Sequence, residues 1–332
     1  MEYEDKKIRN FDKSGAREKE PGLSIVIPIY NEEEVLDMLF ARLKKSLGDI
    51  PIDYEVLFVD DGSHDGSLGM LKKFYQLDRR FKTVSFSRNF GHQVAISAGL
   101  DFARGQAVVI MDGDLQDPPE LIASMINKWQ EGYRVVYAIR KKRREGLFKR
   151  VAYKIFYRLL RSAAKIDIPL DSGDFCLMDK SVVELINSLP ERTRFIRGLR
   201  SWVGFKQIGL EYERDKRFAG KPKYTFSKLL ILALDGVLSF SEDSLRSVLF
   251  VGFIVSVFSF FLALLVVSLR IFGLFEQITG WTTIVAIITF LGGVQLMVAG
   301  FIGEYITRIF EEVKRRPLYI TDEKIGIGDK DK

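Results

Sequence analysis

The sequence predicts an α/β protein: a mainly parallel sheet with helices on both faces, followed by an amphipathic interfacial helix and two transmembrane helices. Three observations support this expectation. Apolar runs of strand length alternate with helical patterns over residues 23–140, polar clusters follow four of these runs, and residues 249–302 hold two long uncharged stretches. Strands that alternate with helices are typical of βαβ units, which build parallel sheets.

The first half of the predicted sheet comes from short apolar runs that contain many β-branched residues. Leu23–Ile29 and Tyr54–Val59 have the length and composition of buried strands. Apolar residues at helical spacing predict helices over Glu33–Leu47 and Ser67–Leu77. We expect Asn31 to cap the first of these helices, because an acid follows it at capping-box spacing.

The second half continues the same alternation. Thr83–Phe86 predicts a short third strand and Gln93–Ala103 the helix after it. Ala107–Met111 is a fully apolar fourth strand. The next helix is expected over Pro118–Gln130, with its two prolines in the first turn, and Val135–Ile139 predicts a fifth strand.

A cluster of acids follows the fourth predicted strand directly. Asp112, Asp114 and Asp117 lie within six positions, with Gln116 among them. Carboxylates this close repel each other unless a cation or a polyvalent ligand compensates their charge. Oxygen ligands of this kind suit Mg²⁺ or Mn²⁺, whereas two histidines in the whole chain are too few for a histidine-built site. The alternative interpretation is an acidic turn that caps the next helix.

Polar clusters follow the first four predicted strands at the end where each strand stops. They are Tyr30–Glu32, Asp60–Asp65, Arg88–His92 and Asp112–Asp117. In an open α/β sheet, ligands bind beyond the carboxyl ends of the strands, so the four clusters predict one binding edge. The first strand is not followed by a G-x-G-x-x-G fingerprint and the chain has no Walker sequence, which argues against a dinucleotide-dependent oxidoreductase or a P-loop enzyme.

Bulk composition limits the cellular setting. The net charge of +6 is modest for 332 residues, and we expect no nucleic-acid partner. A single cysteine, Cys176, excludes an intrachain disulfide and fits a reducing compartment. Residues 1–22 are charged, contain few apolar side chains and lack the apolar core of a signal peptide, so they predict a mobile polar tail.

Two uncharged segments predict a membrane hairpin. Leu249–Leu269 and Trp281–Ile302 are each long enough to cross a hydrocarbon core. Basic residues flank the pair at Arg246 and over 308–316, which places both ends of the hairpin in the cytoplasm. Tyr224–Phe240 is too short to span and predicts an interfacial helix. The expected organisation is a tail over 1–22, an α/β domain over 23–223, interfacial helices over 224–245, the hairpin over 246–306 and a cytoplasmic tail over 307–332.

Six segments in this order resemble one enzyme family. They are SIVIPIYNEEE (24–34), VDDGSHDGS (59–67), SRNFGHQVAISAGLDFARG (87–105), MDGDLQDPPE (111–120), DSGDFCLMDK (171–180) and RFAGKPKYTFSKL (217–229). Together they resemble family 2 glycosyltransferases of the GT-A (Rossmann-like) fold, in the polyisoprenyl-phosphate branch that includes dolichol-phosphate mannose synthase and the bactoprenol glucosyltransferases. The two-helix C-terminal region is similar to the bactoprenol type.

The resemblance implies a role for each residue on the predicted binding edge. It implies that Asp112, Asp114 and Gln116 hold Mg²⁺ or Mn²⁺, and that Asp171 or Asp174 is an acid near the acceptor, with Asp171 the first choice. Asp114 is counted among the catalytic residues because the metal would stabilise the departing diphosphate. The nucleotide-binding residues implied by the family are Pro28, Tyr30, Asn31, Glu32, Asp60, Arg88 and Asp112.

A basic cluster precedes the predicted interfacial helix. By resemblance, Arg217, Lys221 and Lys223 hold the phosphate of a lipid acceptor at the bilayer surface, with Arg140 and Arg150 as further candidates. Family members usually have serine before the last lysine. This chain has proline at that position, which removes a hydroxyl and a backbone donor.

The resemblance implies an inverting, metal-dependent transferase that moves glucose from UDP-glucose to polyprenyl (undecaprenyl) phosphate at the bacterial inner membrane. Both termini and the catalytic domain would be cytoplasmic. A processive polysaccharide synthase and a catalytically inactive membrane scaffold that binds nucleotide-sugar or lipid remain as alternatives. Glycines in the second uncharged segment permit close helix packing, so a homo-oligomer is left open.

Overall fold

A computed structural model of the chain describes residues 21–140, 172–192, 194–212, 268, 272 and 280–328. The strands are β1 (Leu23–Ile29), β2 (Tyr54–Asp60), β3 (Phe81–Phe86), β4 (Ala107–Ile110), β5 (Val135–Arg140), β6 (Ser172–Asp179), β7 (Gln207–Tyr212) and β8 (Thr321–Ile325). The helices are α1 (Glu33–Gly48), α2 (Ser67–Leu77), α3 (His92–Phe102), α4 (Leu121–Gln130), α5 (Lys180–Ser188), α6 (Ile196–Trp202) and α7 (Gly280–Lys314).

The described strands form one sheet in the order β7-β5-β6-β4-β1-β2-β3-β8. Strands β4, β1, β2 and β3 are parallel neighbours, and β7 is parallel to β5. Only β6 and β8, within the described part, run antiparallel to their neighbours. The predicted mainly parallel sheet is therefore confirmed. Ile29 pairs with Asp60 and Asp60 with Ser85, so β1, β2 and β3 end together at one edge.

Helices cover both faces of the sheet, as predicted. Leu39 of α1 and Met125 of α4 belong to the core on one face, where α2 also packs. Ile96 of α3 and Ile186 of α5 belong to the core on the other face. Each such fully buried aliphatic side chain contributes about 1.5–3 kcal/mol to folding. Burial on both faces explains why β1, β2 and β4 are almost continuously apolar.

Three strands were missed in the sequence because their patterns are ambiguous. β6 and β7 begin with polar residues, and β8 has three charged residues among its five. The side chains of β8 alternate between half-buried and exposed, a pattern that arises from its pairing with the outer edge of β3. The segment 307–332, which the sequence analysis assigned to a tail, thus contributes the end of α7 and β8.

Helix α1 begins at Glu33 as predicted but lacks the predicted cap, and α4 begins later than predicted. Asn31 does not cap α1: its Oδ1 accepts from the His64 N–H at 2.8 Å, and Glu32 occupies the cap position without a side-chain cap bond. The capping-box prediction was wrong because the loop after β2 competes for the Asn31 side chain. Helix α4 begins at Leu121, since the carbonyls of Pro118 and Pro119 already form a turn that leads into it.

Of the two predicted membrane helices, only the second falls within the described residues. Within the described ranges, one helix is long and apolar enough to cross a membrane by length and composition, through its segment Phe290–Lys314. It belongs to α7, which has 35 residues and extends twelve positions beyond the predicted end at Ile302. The predicted first span, Leu249–Leu269, lies outside the described residues except for Ser268, so two spans are not confirmed. The predicted tail over 1–20 and the interfacial helices over 224–245 also lie outside them.

Candidate active site

The loops that follow β1 and β2 are joined by hydrogen bonds in both directions. Asn31 N–H donates to Ser63 Oγ at 3.0 Å, and Glu32 N–H donates to Ser67 Oγ at 3.1 Å. In return, His64 N–H donates to Asn31 Oδ1. Asn31 adopts a left-handed backbone conformation, with φ of 52°, which lets its side chain turn toward the second loop. The predicted nucleotide residues Tyr30 to Glu32 therefore sit on a fixed loop.

The loop after β2 is anchored to the loop after β3. Asp60 is buried and accepts from Ser63 N–H at 3.1 Å and from Ser85 Oγ at 2.7 Å. Asp61, also buried, accepts from the N–H groups of Phe90 and Gly91. Burial raises the pKa of Asp61 in spite of these bonds. Both acids thus organise the edge, and contact between Asp60 and a nucleotide stays a prediction.

Gly62 allows these two loops to meet. Its φ is +67°, and a Cβ at this position would lie 2.4 Å from the backbone carbon of Arg88. A larger residue would therefore separate the loop after β2 from the loop that carries Arg88. The Arg88 guanidinium lies 4.0 Å from the centre of the Phe90 ring and donates to Asn89 O. It is exposed on the edge where a nucleotide site is predicted.

The acidic loop after β4 reaches the same edge. Met111 N–H donates to Val26 O, and a Cβ on Gly113 would lie 2.6 Å from Ile29 Cδ1, so the loop runs beside the last residues of β1. Asp112 and Asp114 are half-buried, and Asp114 accepts from Gln116 N–H at 3.2 Å. Asp117 is buried and accepts from the Tyr212 hydroxyl at 2.6 Å. Asp117 is thereby tied to β7, whereas the side chains of Asp112 and Asp114 are partly exposed.

Asp174 of β6 is held by an arginine that the sequence analysis did not single out. Arg197 donates from Nε to Oδ1 at 2.7 Å and from Nη2 to Oδ2 at 3.0 Å. Gln93 donates to Oδ2 at 3.3 Å and accepts from Ile196 N–H at 3.1 Å. His92 Nε2 lies 3.5 Å from Asp174 Oδ2 and 3.5 Å from Asp112 Oδ1.

The surroundings of Asp112 and Asp174 shift the pKa values of these two carboxyl groups in opposite directions. Burial raises the pKa of Asp112 to about 6; His92 opposes this shift, while the carboxylates of Asp117, Asp174 and Asp114 add to it. Burial would also raise the pKa of Asp174, but the charge of Arg197 holds it well below its usual range. Burial disfavours protonation of His92, yet hydrogen bonding to Asp174 and the charge of Asp112 raise the pKa of its imidazole.

The residues after β4 fit a divalent cation. Asp112 Oδ1 is buried and accepts no hydrogen bond, and the charges of Asp114, Asp117 and Asp174 raise the pKa of this carboxyl. A cation would compensate this charge, and carboxylate with amide oxygens are ligands that Mg²⁺ and Mn²⁺ accept. Among the residues that the structure describes, no three His, Cys, Asp or Glu side chains form a ready-made cluster for a metal. The set Asp112, Asp114 and Gln116 therefore stays a prediction, with substrate phosphate and water as the remaining ligands.

Several predicted site residues cannot be placed on this edge. Strand β5 ends at Arg140, and the structure describes the backbone of this residue but not its side chain. The structure does not describe Asp171, Arg150, Arg217, Lys221 or Lys223. Pro28 lies within β1 and Tyr30 follows that strand, half-buried.

Sequence reasoning missed the residues that hold the acids in place. Gln93 and Arg197 lie on helices far apart in the chain, and Asp61 was included only within the polar cluster Asp60–Asp65. A signal existed for Gln93, since it is adjacent to His92 at the start of the helix that follows a polar cluster. No comparable signal marks Arg197, because only the fold brings α6 next to β6.

A family model for glycosyl transferase family 2 matches residues 24–186. An uncharacterised glycosyltransferase of Bacillus subtilis is 48% identical over 308 residues, which cover 92% of this chain and 95% of that protein. A second one, from Synechocystis, is 46% identical over 306 residues, covering 92% of this chain and 96% of that protein. A prophage-derived bactoprenol glucosyl transferase of Shigella flexneri is 40% identical over 300 residues, covering 90% and 96%.

Together with the mainly parallel sheet, these matches confirm both the family resemblance and the GT-A fold. The chain belongs to glycosyl transferase family 2 and is a transferase.

Proposed function

We propose that the protein transfers a hexose, glucose from UDP-glucose, to polyprenyl phosphate, and that it inverts the anomeric configuration. One observation supports this most strongly: Asp112 and Asp114 stand at the carboxyl edge of a family 2 sheet, beside the loop that bears Tyr30 to Glu32. A relative that matches 90% of this chain is named a bactoprenol glucosyl transferase, which supports the lipid acceptor and the glucosyl donor.

In the proposed reaction, an acceptor phosphate oxygen attacks the anomeric carbon. The bond from that carbon to the diphosphate breaks in line with the attack, and UDP leaves with the electron pair. An acceptor phosphate is already ionised at neutral pH, so it needs no general base. This agrees with the state of Asp174, whose pKa is held low by Arg197 and which therefore makes a poor base.

The proposed cofactor is Mg²⁺ or Mn²⁺ on Asp112, Asp114 and Gln116. When bound, it would stabilise the negative charge that develops on the leaving diphosphate. The chain's own part is to orient the nucleotide through the anchored loops after β1, β2 and β3. Tyr30 is proposed to stack on the base, and Glu32 and Asp60 to accept hydrogen bonds from base or ribose.

The acceptor side is proposed to face a membrane. α7 provides one helix long and apolar enough to cross a bilayer. Arg217, Lys221 and Lys223, with Arg140 and Arg150, are proposed to hold the lipid phosphate. The proposed location is the bacterial plasma membrane, as a multi-pass protein with the catalytic domain in the cytoplasm.

The proposal is tested by a transfer assay with the full-length protein in detergent, Mn²⁺, polyprenyl phosphate and a panel of radiolabelled UDP- and GDP-sugars. We expect labelled lipid from UDP-glucose and its loss on addition of EDTA. Asp114→Ala should lower kcat/KM by about 100-fold or more, the size expected when transition-state charge loses a stabilising group. Asp37→Ala, which removes an exposed acid of α1, is the matched control.

Labelled lipid from another donor would overturn the choice of UDP-glucose, and an inverted linkage is checked by NMR of the product. Undiminished transfer by Asp114→Ala would overturn its metal role. Nucleotide binding without lipid labelling from any donor would favour the inactive scaffold.

A further inference from the structure

The Asp174 carboxylate is buried and accepts hydrogen bonds on both of its oxygens. Its side chain is 5% exposed, and Arg197 occupies both of its oxygens in a two-bond ion pair. Gln93 adds a third donor to Oδ2. An ion pair this well enclosed keeps the carboxylate charged and fixed in orientation, because removing either partner would leave an uncompensated buried charge. The geometry is that of an anchored acid.

The exposed member of the cluster is His92. Its side chain is 39% exposed, against 27% for Asp112 and 5% for Asp174. The imidazole Nε2 lies 3.5 Å from one oxygen of each acid. It thus lies between the anchored acid of β6 and the acid of the loop after β4.

The position of His92 is set by its backbone as well. Gly91, with φ of +104°, precedes it and turns the chain into α3. The N–H groups of Phe90 and Gly91 donate to buried Asp61, which holds the start of the helix against β2. His92 is therefore fixed from one side by Asp61 and from the other by the acid pair.

We propose that His92 is a positioning residue of the nucleotide site: it holds the Asp112 carboxylate in place, and Asp174 with Arg197 acts through His92. The inference rests on the proposed function, since Asp112 is assigned there to the metal and the nucleotide. It gives Asp174 a role on the donor side, where the family resemblance placed it near the acceptor.

Three possible roles for Asp174 predict different measurements. If Asp174 were a base or an acceptor residue, its loss would lower kcat or raise the KM for lipid and leave nucleotide binding unchanged. If it positions His92, its loss weakens Mn²⁺-dependent UDP binding. If the ion pair with Arg197 were purely structural, its loss would lower the melting temperature and impair all kinetic constants alike.

The experiment measures Mn²⁺-dependent UDP binding by calorimetry on the full-length protein, with melting temperature and transfer kinetics alongside. The variants are His92→Ala, His92→Gln, Asp174→Asn and Arg197→Lys. Arg80→Lys is the control, because Arg80 also makes a two-bond pair with an aspartate, Asp78, which precedes β3 at the opposite edge of the sheet and is more exposed.

We expect His92→Ala to weaken UDP binding about tenfold, the lower range for loss of a residue that orients a metal ligand. His92→Gln should recover part of the affinity, because its amide can donate from a similar position. Asp174→Asn and Arg197→Lys should each weaken UDP binding, and adding either to His92→Ala should cause little further loss, as for residues that act in one chain of contacts.

Unchanged UDP binding in His92→Ala, or additive losses in the double variants, would overturn the proposal. If Asp174→Asn does not fold, the UDP binding of Arg197→Lys and of the two His92 variants still tests the proposal. Failure of the proposed function shows separately, because the wild type would then bind UDP with Mn²⁺ and label no polyprenyl phosphate.

Discussion

Asp112 is the residue at which the charges of the site are most crowded. It is half-buried, its Oδ1 accepts no hydrogen bond, and its neighbours include Asp114, Asp117 and Asp174. Part of this was predictable: three acids in six positions after an apolar strand indicate a charged edge. The anchoring of Asp174 by Arg197 was not, because a pair separated by 23 residues across a strand and two helices leaves no local pattern.

The pKa of Asp112 gives a test on the metal-free protein. Its value of about 6 lies above the ordinary 3.8, so the folded state holds an extra proton between those pH values. The free energy of unfolding therefore falls as pH rises through that window. Asp112→Asn removes this effect, and we expect the variant to be more stable than the wild type at pH 7.5 by on the order of 2 kcal/mol.

The comparison uses thermal unfolding in EDTA at pH 7.5 and pH 4, with Asp37→Asn as control. The gain should shrink at the lower pH, because Asp112 is then protonated in the folded state and its buried charge no longer opposes folding. Equal melting temperatures at pH 7.5 would contradict the crowding of charge around Asp112.

At the scale of elements, periodicity predicted the central strands well and the added strands poorly. β1 and α2 begin and end where predicted, because continuous burial and amphipathic spacing are both local signals. β8 could not be predicted, since the composition of TDEKI is typical of an exposed segment and only the pairing with β3 makes it a strand. The cap of α1 could not be predicted for a similar reason, because the Asn31 side chain accepts a hydrogen bond from His64 in a loop distant in sequence.

Tyr319, just before β8, holds this strand against the domain. Its ring stacks on Phe86 with centroids 5.0 Å apart, and its hydroxyl donates to Asp101 at 3.0 Å. Burial, reinforced by the nearby Asp101 charge, raises the pKa of the Tyr319 hydroxyl, so it stays a donor at neutral pH.

We expect Tyr319→Phe to lower stability by about 1 kcal/mol through loss of one hydrogen bond. Tyr319→Ala should lower it by about 3–5 kcal/mol, because the packing of the ring is lost as well. Thermal unfolding of both variants and the wild type provides the comparison. Equal losses in the two variants would show that the ring contributes nothing beyond its hydroxyl.

At the scale of the molecule, the chain leaves the α/β domain, forms α7 and returns to the sheet. At 1.5 Å per residue the 35 residues of α7 extend about 52 Å, whereas a hydrocarbon core is about 30 Å thick. Part of α7 must therefore project from any membrane it crosses. Near its end, Glu312 accepts from Arg192 N–H at 2.8 Å, which brings the helix against the domain.

Because β8 follows α7 in the chain, the eighth strand of the sheet is supplied by the segment directly after this helix. β8 pairs with four residues of β3, from Thr83 to Phe86, and Lys72 forms an ion pair with Glu323 at 2.6 Å. Without β8, the edge of β3 would expose unpaired backbone groups, which promotes association between chains.

Deletion of residues 318–332 should therefore lower the melting temperature by several degrees and increase aggregation. Attachment to lipid vesicles should be unchanged, because α7 is retained.

Deletion of 329–332 alone is the control, since it leaves β8 and Tyr319 in place. The measurements are thermal unfolding in detergent, light scattering and vesicle flotation. An unchanged melting temperature would mean that β8 does not stabilise the sheet, whereas loss of flotation would mean that the returning strand, and not α7 alone, determines membrane attachment.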